Sequence, residues 1–534
     1  MSVSHERTNA PVEPMVFIPS VIVIGTVVLV MILAPDKAHE LVGRANKFVN
    51  QYFSSTFLLF GALCLVASLW FYFTPYGRIK LGDTDDKPEF SNFSWVAMLF
   101  SAGVAIGLMI WSVVEPIYYI ESPPLGIEAF SNEAYEWAHM LPLFHWGVSA
   151  WAIYCVCAIP IAYSVYNRKD KVFRLSNCCR SVMGGQVDRW PGMLIDTLVV
   201  LGTIGGMGTS IGLAIPLVSS LISDTIGLPD NFWLKLAVVA VWFMVFGGTV
   251  YTGLGRGIKD LSRINIYIAF GFLVYLLLVG PTSFIIDSTV NSIGLMLENF
   301  PRLLLQVEPL RLIAQEPKDA WPQWWTVFYW AWWIAYAPVT GIFIARISKG
   351  RQIKEIVLGA CFWGTLGCWV FLSIIGGYSL FLQKSGLADL SGIHQSVNDA
   401  AACLALVKSL PLSGIVMFFY LVLCITLLAT TLNAAAYTLS AICSKKGFSD
   451  LEPLRWHRVL WAFGLAIFGF GLLLAGGEKA LKTVQTSTVV GGILLVPVII
   501  VLLYCLVKNV KQDYGNTINP GPLARDIKKE PLVL

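Results

Sequence analysis

The chain has 534 residues, 56% of them hydrophobic and only 13% charged, and a mean hydropathy of +0.69, which excludes a soluble globular domain. Its formal net charge of +4 gives no reason to invoke nucleic acid. Its eleven cysteines, without a CxxC or a histidine spacing suited to zinc, read as small apolar fillers.

What remains is an all-α polytopic membrane protein. Apolar runs long enough to cross roughly 30 Å of hydrocarbon number twelve, at residues 15–34, 55–74, 94–113, 142–166, 194–221, 232–252, 264–284, 324–346, 355–382, 412–441, 458–477 and 486–508. APDKAHE follows the first without a small-residue cleavage site, so that run is expected to stay in the mature chain. The third carries SAGVAIG, residues 101–107, in its middle. Such glycines either let helices pack closely or break the helix, freeing carbonyls and helix-end dipoles that meet a cation or a carboxylate. In the fourth, FHWGVSAWAIY sets Trp146, Trp151 and Tyr154 on an arc of about 140° at 100° per residue. His145 beside them reads first as a structural histidine. Residues 287–320 include NSIGLMLENFPRLLL, whose helical apolar period beside Glu298 and Arg302 predicts an amphipathic helix along the outer surface.

The eighth span contains FYWAWWIAYAPVTG, residues 328–341, with three tryptophans and two tyrosines within nine residues. Trp333 lies about 20 Å along the helix from Arg346, too deep for an interfacial aromatic belt. Tyr154, fourteen residues before Arg168, sits at nearly the same height. YAPVTG, residues 336–341, predicts a second helix break, and interruptions in spans five apart point to a five-plus-five inverted repeat. In the tenth span, ATTLNAAAYT places Thr430 and Thr431 at the same depth. Their hydroxyls either bond back to their own helix or, beside freed carbonyls, form a hard oxygen site suited to sodium. The tail after Lys508 holds Asn516, Pro520, Gly521 and Pro522 and is expected to be disordered.

Lys and Arg gather in alternate loops, around Arg78, Arg168, Arg256, Arg346 and Lys445, while residues 121–140 have none. Positive loops stay cytoplasmic, which puts both termini there. The span middles offer almost no Asp or Glu, so a cation held between the two aromatic groups would lack a carboxylate partner. Aromatic faces attract a methylated onium group through their quadrupole; packing between helices is the other reading. A channel or a receptor on the same helices is the competing class, and these rings would plug a continuous polar pore. The six histidines form no catalytic constellation, so no enzyme is expected.

FYWAWWIAYAP followed by GIFIARISKGR, with FHWGVSAWAIY, GTSIGLA and EFSNFSWVAMLFSAG, resembles the betaine/carnitine/choline transporter family over nearly the whole chain. The resemblance implies twelve transmembrane helices in a leucine-transporter-like inverted repeat, preceded by two peripheral helices. On this chain that means a cytoplasmic N-terminus (1–14), peripheral helices and loop (15–93), a first repeat of helices 3–7 (94–284), an outer amphipathic helix and loop (285–323), a second repeat of helices 8–12 (324–508) and a short cytoplasmic tail (509–534). It also implies a homotrimer in the lipid bilayer of a bacterial inner membrane, working by alternating access around an aromatic box.

Carried over by position, the box falls on Trp146, Trp151, Tyr154, Trp332 and Trp333, with Trp330, Tyr336 and Tyr118 along the same path. Sodium, with no other cofactor, would bind Thr430 and Thr431 with backbone oxygens of Ser101 and Val104. A second possible site keeps Thr203 but has Met207 where another threonine is expected, and a thioether is a poor sodium ligand. The branch exchanging carnitine for butyrobetaine without sodium carries an arginine and a methionine where this chain has Asn265 and Thr340, which favours sodium symport over that exchange. GVAIG lacks the acidic residue expected to favour choline. A zwitterion of the glycine betaine, carnitine or dimethylsulfoniopropionate class is therefore preferred over choline uptake. The short tail, without a long charged extension, implies constitutive uptake.

Overall fold

Prolines set where the chain starts its first two helices. In a computed structural model describing residues 11–103, 105–170, 173–252, 259–312, 321–445, 453–474 and 478–515, Pro14 opens α1 (Pro14–Leu33) and Pro35 opens α2 (Pro35–Phe73). Proline suits a first helical turn, where its missing N–H has no partner to lose. Only Val16, Ser20 and Met31 of α1 are buried, so it lies at the periphery. The 39 residues of α2 extend about 58 Å, far beyond the bilayer core, and most of its buried side chains lie from Ser54 onwards. The expected span at 55–74 is thus the packed half of a longer helix.

The third span is two helices, α3 (Asn92–Gly103) and α4 (Ala105–Glu121), whose axes differ by 59°. The fourth is also two, α5 (Asn132–His145) and α6 (Val148–Tyr166). Trp146 leaves helical geometry at φ −106° and ψ 13°, and Gly147 follows with ψ −158°. The arc computed on one continuous helix therefore does not hold across this joint, and Trp146 owes its direction to the break.

Next come α7 (Trp190–Ile226), α8 (Phe232–Thr252), α9 (Lys259–Val279) and α10 (Thr282–Leu305). The buried residues of α10, Ile285, Ser292, Met296 and Leu303, share one helical face. That face packs against α5. The central helix is α11 (Thr326–Ile347), with 94% of its apolar stretch buried, against 17% for α1 and 28% for α8. A helix apolar all round belongs inside a bundle.

No break occurs at YAPVTG: α11 is continuous through Pro338. Gly341 serves close packing instead, since a Cβ there would come within 2.7 Å of the Cys157 Cβ on α6. The expectation of a second interruption is corrected accordingly, and with it the inference of a repeat from paired breaks.

The bundle continues with α12 (Ile353–Ser385), loosened by π turns at Leu358–Gly364 and Leu372–Gly376, then the short α13 (Leu390–Ser396) and α14 (Asp399–Lys408). It closes with α15 (Ser413–Ile442), α16 (Arg455–Leu474) and α17 (Glu478–Tyr514). Ten described helices are long and apolar enough to span a membrane, eleven if the bent α3–α4 pair is one span. The α16 helix stands where the sequence places an eleventh span. Beyond Lys508 the chain stays helical to Tyr514, correcting the expected disorder there. Asp513 holds that end by a two-pronged pair with Arg168, at 2.9 and 3.0 Å, and by the Tyr163 hydroxyl at 2.7 Å. The rest of the tail lies outside the described residues.

Candidate functional site

Two helix joints and the aromatic helix α11 meet at one hollow. Gly103 and Ile106 flank the α3–α4 break, Trp146 stands at the α5–α6 break and Tyr154 on α6. Trp332, Trp333 and Tyr336 come from α11, Ser210 from α7 and Thr431 from α15. Together they line a narrow hollow with a cavity volume of about 20 Å³. That is room for about one water, so the rings close on one another in this conformation and a ligand enters only when they part.

The rings meet edge to face. Trp146 lies 5.8 Å from Trp332 at 84° and 5.7 Å from Trp333 at 76°. Tyr154 lies 4.7 Å from Trp333. Trp151 is fully buried and does not line the hollow, but packs behind it, 5.6 Å from both Tyr154 and Trp333. Glycines make room for this arrangement. A Cβ at Gly103 would come within 2.9 Å of the Trp151 ring, and one at Gly107 within 3.0 Å of the Trp146 ring.

Polar atoms at the hollow divide into two kinds. The Tyr154 hydroxyl donates to the Gly103 carbonyl at 3.1 Å, and Tyr336 donates to the Gly206 carbonyl at 3.1 Å while sharing a 2.6 Å bond with Ser210. The indole N–H groups of Trp332 and Trp333 are buried without a protein partner. Among the described residues no charged side chain lines the hollow.

The remaining aromatic candidates point elsewhere. Trp330 is buried against α2, where a Cβ on Gly61 would lie 2.8 Å from its Nε1. Tyr118, near the end of α4, donates to Asp399 at 3.0 Å and packs on His394 at 4.4 Å, away from the hollow.

At the α3–α4 break, Thr431 Oγ1 approaches the Ser101 carbonyl at 3.4 Å and its own Leu427 carbonyl at 3.2 Å. Thr430 donates to Thr426 at 2.8 Å and accepts from Asn265 Nδ2 at 3.0 Å. Ser101 Oγ and Asn265 Oδ1 are buried without partners. Val104 lies outside the described residues. Thr203 is buried and bonds back to Val199 at 2.7 Å.

A model of BCCT, the betaine/carnitine/choline family transporters, matches residues 15–515. The chain belongs to this family. It is a membrane transporter and not an enzyme. Among solved structures the transporter is similar to MhsT in complex with L-phenylalanine, at TM-score 0.48 and 13% identity over 77% of this chain and 89% of that one. It is also similar to a mutant Eremococcus coleocola manganese transporter, at TM-score 0.47 and 15% identity over 83% and 85%. A Na+-coupled sialic acid symporter matches at TM-score 0.43 and 12% identity over 88% of each.

One group in the transporter was missed from sequence. Glu115 on α4 is fully buried, and its Oε2 accepts from Trp146 Nε1 at 3.0 Å. The expectation that no carboxylate stands near the aromatic groups is therefore corrected. The signal was present in WSVVEPIYY: Glu115 follows Gly107 by eight residues, so a continuous helix puts it about 12 Å away and close to the same face.

Proposed function

We propose that the transporter takes up a methylated onium zwitterion of the glycine betaine, carnitine or dimethylsulfoniopropionate class by alternating access. The observation that carries this reading is the lining of the hollow: Trp146, Tyr154, Trp332, Trp333 and Tyr336 bound it, and among the described residues no charged side chain does. A methylated onium centre cannot donate a strong hydrogen bond, so ring faces are its fitting partners, each worth about 2 kcal/mol when desolvated. The unpartnered N–H groups of Trp332 and Trp333 suit the carboxylate of a zwitterion, because a buried donor left unpaired costs about 1–3 kcal/mol. Choline has no carboxylate to offer them.

Sodium symport is part of the proposal. Thr431, Thr430 and the Ser101 carbonyl supply hard oxygens, and turning the Asn265 amide over adds its partnerless Oδ1. Thr203 as a second ligand site has weaker support, because its hydroxyl is spent on its own helix and Met207 is its neighbour one turn on. Twelve helices in two inverted repeats, two peripheral helices, a homotrimer and cytoplasmic termini in a bacterial inner membrane complete the proposal. The peripheral position of α1 supports it.

The test is uptake into proteoliposomes of glycine betaine, carnitine, choline and dimethylsulfoniopropionate, each with and without an inward sodium gradient. The reading predicts concentrative uptake of a zwitterion only with the gradient. Uptake of choline alone, or of none of the four, overturns it.

A further inference from the structure

Glu115 is a buried carboxylate that the proposed box does not use directly. Its Oε1 accepts from the Tyr119 hydroxyl at 2.7 Å and faces His145 Nδ1 at 3.3 Å, while His145 Nε2 meets Thr326 Oγ1 at 3.1 Å. The Tyr329 ring stacks on His145 at 4.6 Å and 15°, and its hydroxyl is buried without a hydrogen-bond partner. Glu115 and His145 are both fully buried. Among the described residues no Lys or Arg pairs with Glu115, whose one ion-pair partner is His145.

The Trp146 indole is a donor only, and Tyr119 donates its single hydrogen to Oε1. His145 Nδ1 lies 2.9 Å from the Tyr119 hydroxyl, so a neutral His145 with its proton on Nδ1 donates to the Tyr119 oxygen and accepts from Thr326 at Nε2. Both carboxylate oxygens accept a hydrogen bond, Oε1 from Tyr119 and Oε2 from Trp146. Trp146 is also set apart from the other two tryptophans of the hollow, whose N–H groups are free. The α4 helix touches its indole twice, at Gly107 beside the ring and at Glu115 on the nitrogen.

We propose that Glu115 is a specificity-determining, positioning residue. Through the Trp146 N–H it fixes that indole and enriches its π face, so that the hollow favours a permanent cation over a neutral group of the same shape. Hydrogen bonds to an ionised acceptor are short and roughly twice as strong as neutral ones. An indole that donates to an anion holds more electron density on its ring, the part a cation contacts. Burial keeps this effect from being screened by water. The inference rests on the onium reading above and adds the source of its charge preference.

The test measures competition by glycine betaine and by its uncharged-head isostere tert-butylacetate, using purified full-length transporter in nanodiscs with binding read by tryptophan fluorescence. The wild type should prefer glycine betaine. Glu115→Gln keeps an oxygen for Trp146 and removes the charge, and should reduce the preference about tenfold. Trp146→Phe keeps a ring without the N–H and should reduce it similarly, which covers the case in which Glu115→Gln does not fold. An undiminished preference in either folded variant overturns the role of Glu115 and leaves the onium reading standing. A wild type with no preference overturns the onium reading itself, and this inference with it.

Discussion

Removing the Trp333 ring is the sharpest perturbation of the hollow. Trp333 is 3% exposed and touches Trp146, Trp151 and Tyr154 at 5.7, 5.6 and 4.7 Å. Loss of one desolvated cation–π face is worth about 2 kcal/mol, or roughly 30-fold in affinity. Truncating a core tryptophan also costs about 3–5 kcal/mol of stability, so Trp333→Ala must be read beside Trp333→Phe, which keeps a face and most of the packing. Trp330→Phe is the control, because that ring packs against α2 rather than the hollow. Initial uptake rates in proteoliposomes, normalised to folded protein, should show KM raised about 30-fold in Trp333→Ala, a few-fold in Trp333→Phe, and not at all in Trp330→Phe. A folded Trp333→Ala protein with wild-type KM would refute the reasoning.

Other parts of the site give separate tests. Tyr336→Phe removes the bonds to Gly206 and Ser210; two neutral hydrogen bonds at about 1 kcal/mol each predict a five- to thirtyfold loss in kcat/KM, and wild-type kinetics would show the hydroxyl to be idle. Replacing Thr430 and Thr431 together with alanine should raise the sodium concentration for half-maximal uptake, measured over a sodium titration, and an unchanged midpoint counts against the proposed ion site. Gly107→Val drives a side chain into the Trp146 ring and should abolish substrate binding while the protein still purifies as a monodisperse species; retained binding contradicts the close fit. Asp513→Ala removes a carboxylate bonded to Arg168 and Tyr163. It should lower thermal stability by about 1–3 kcal/mol with KM unchanged, as followed by fluorescence melting.

The residues that form the hollow were readable because their chemistry is out of place. Counted by helix rise from Arg346 and Arg168, Trp333 and Tyr154 come out at nearly the same depth, which joined residues 179 apart in the chain. Direction was harder to read. Trp330 has the same composition signal as Trp332, yet two residues of helix turn it by about 200°, onto Gly61 instead of the hollow.

Glycine and proline gave an ambiguous signal for a physical reason. SAGVAIG and YAPVTG look alike on paper, but the first coincides with a 59° bend and the second lies within the unbroken α11. Close packing against Cys157 explains Gly341 without a break. Glu115 escaped notice because it follows the assumed end of the third span, residue 113, while α4 continues to Glu121. The Arg168–Asp513 contact joins segments 345 residues apart, a pairing that no local pattern encodes.

The central claim is that ring faces hold a methylated onium centre in the middle of the membrane. A cryo-EM structure of the transporter with its transported zwitterion tests it most directly. The account predicts density for the methylated head among Trp146, Tyr154, Trp332 and Trp333, with the carboxylate near indole N–H groups. Ligand density outside that hollow, or a head group seated against a carboxylate side chain, would contradict it.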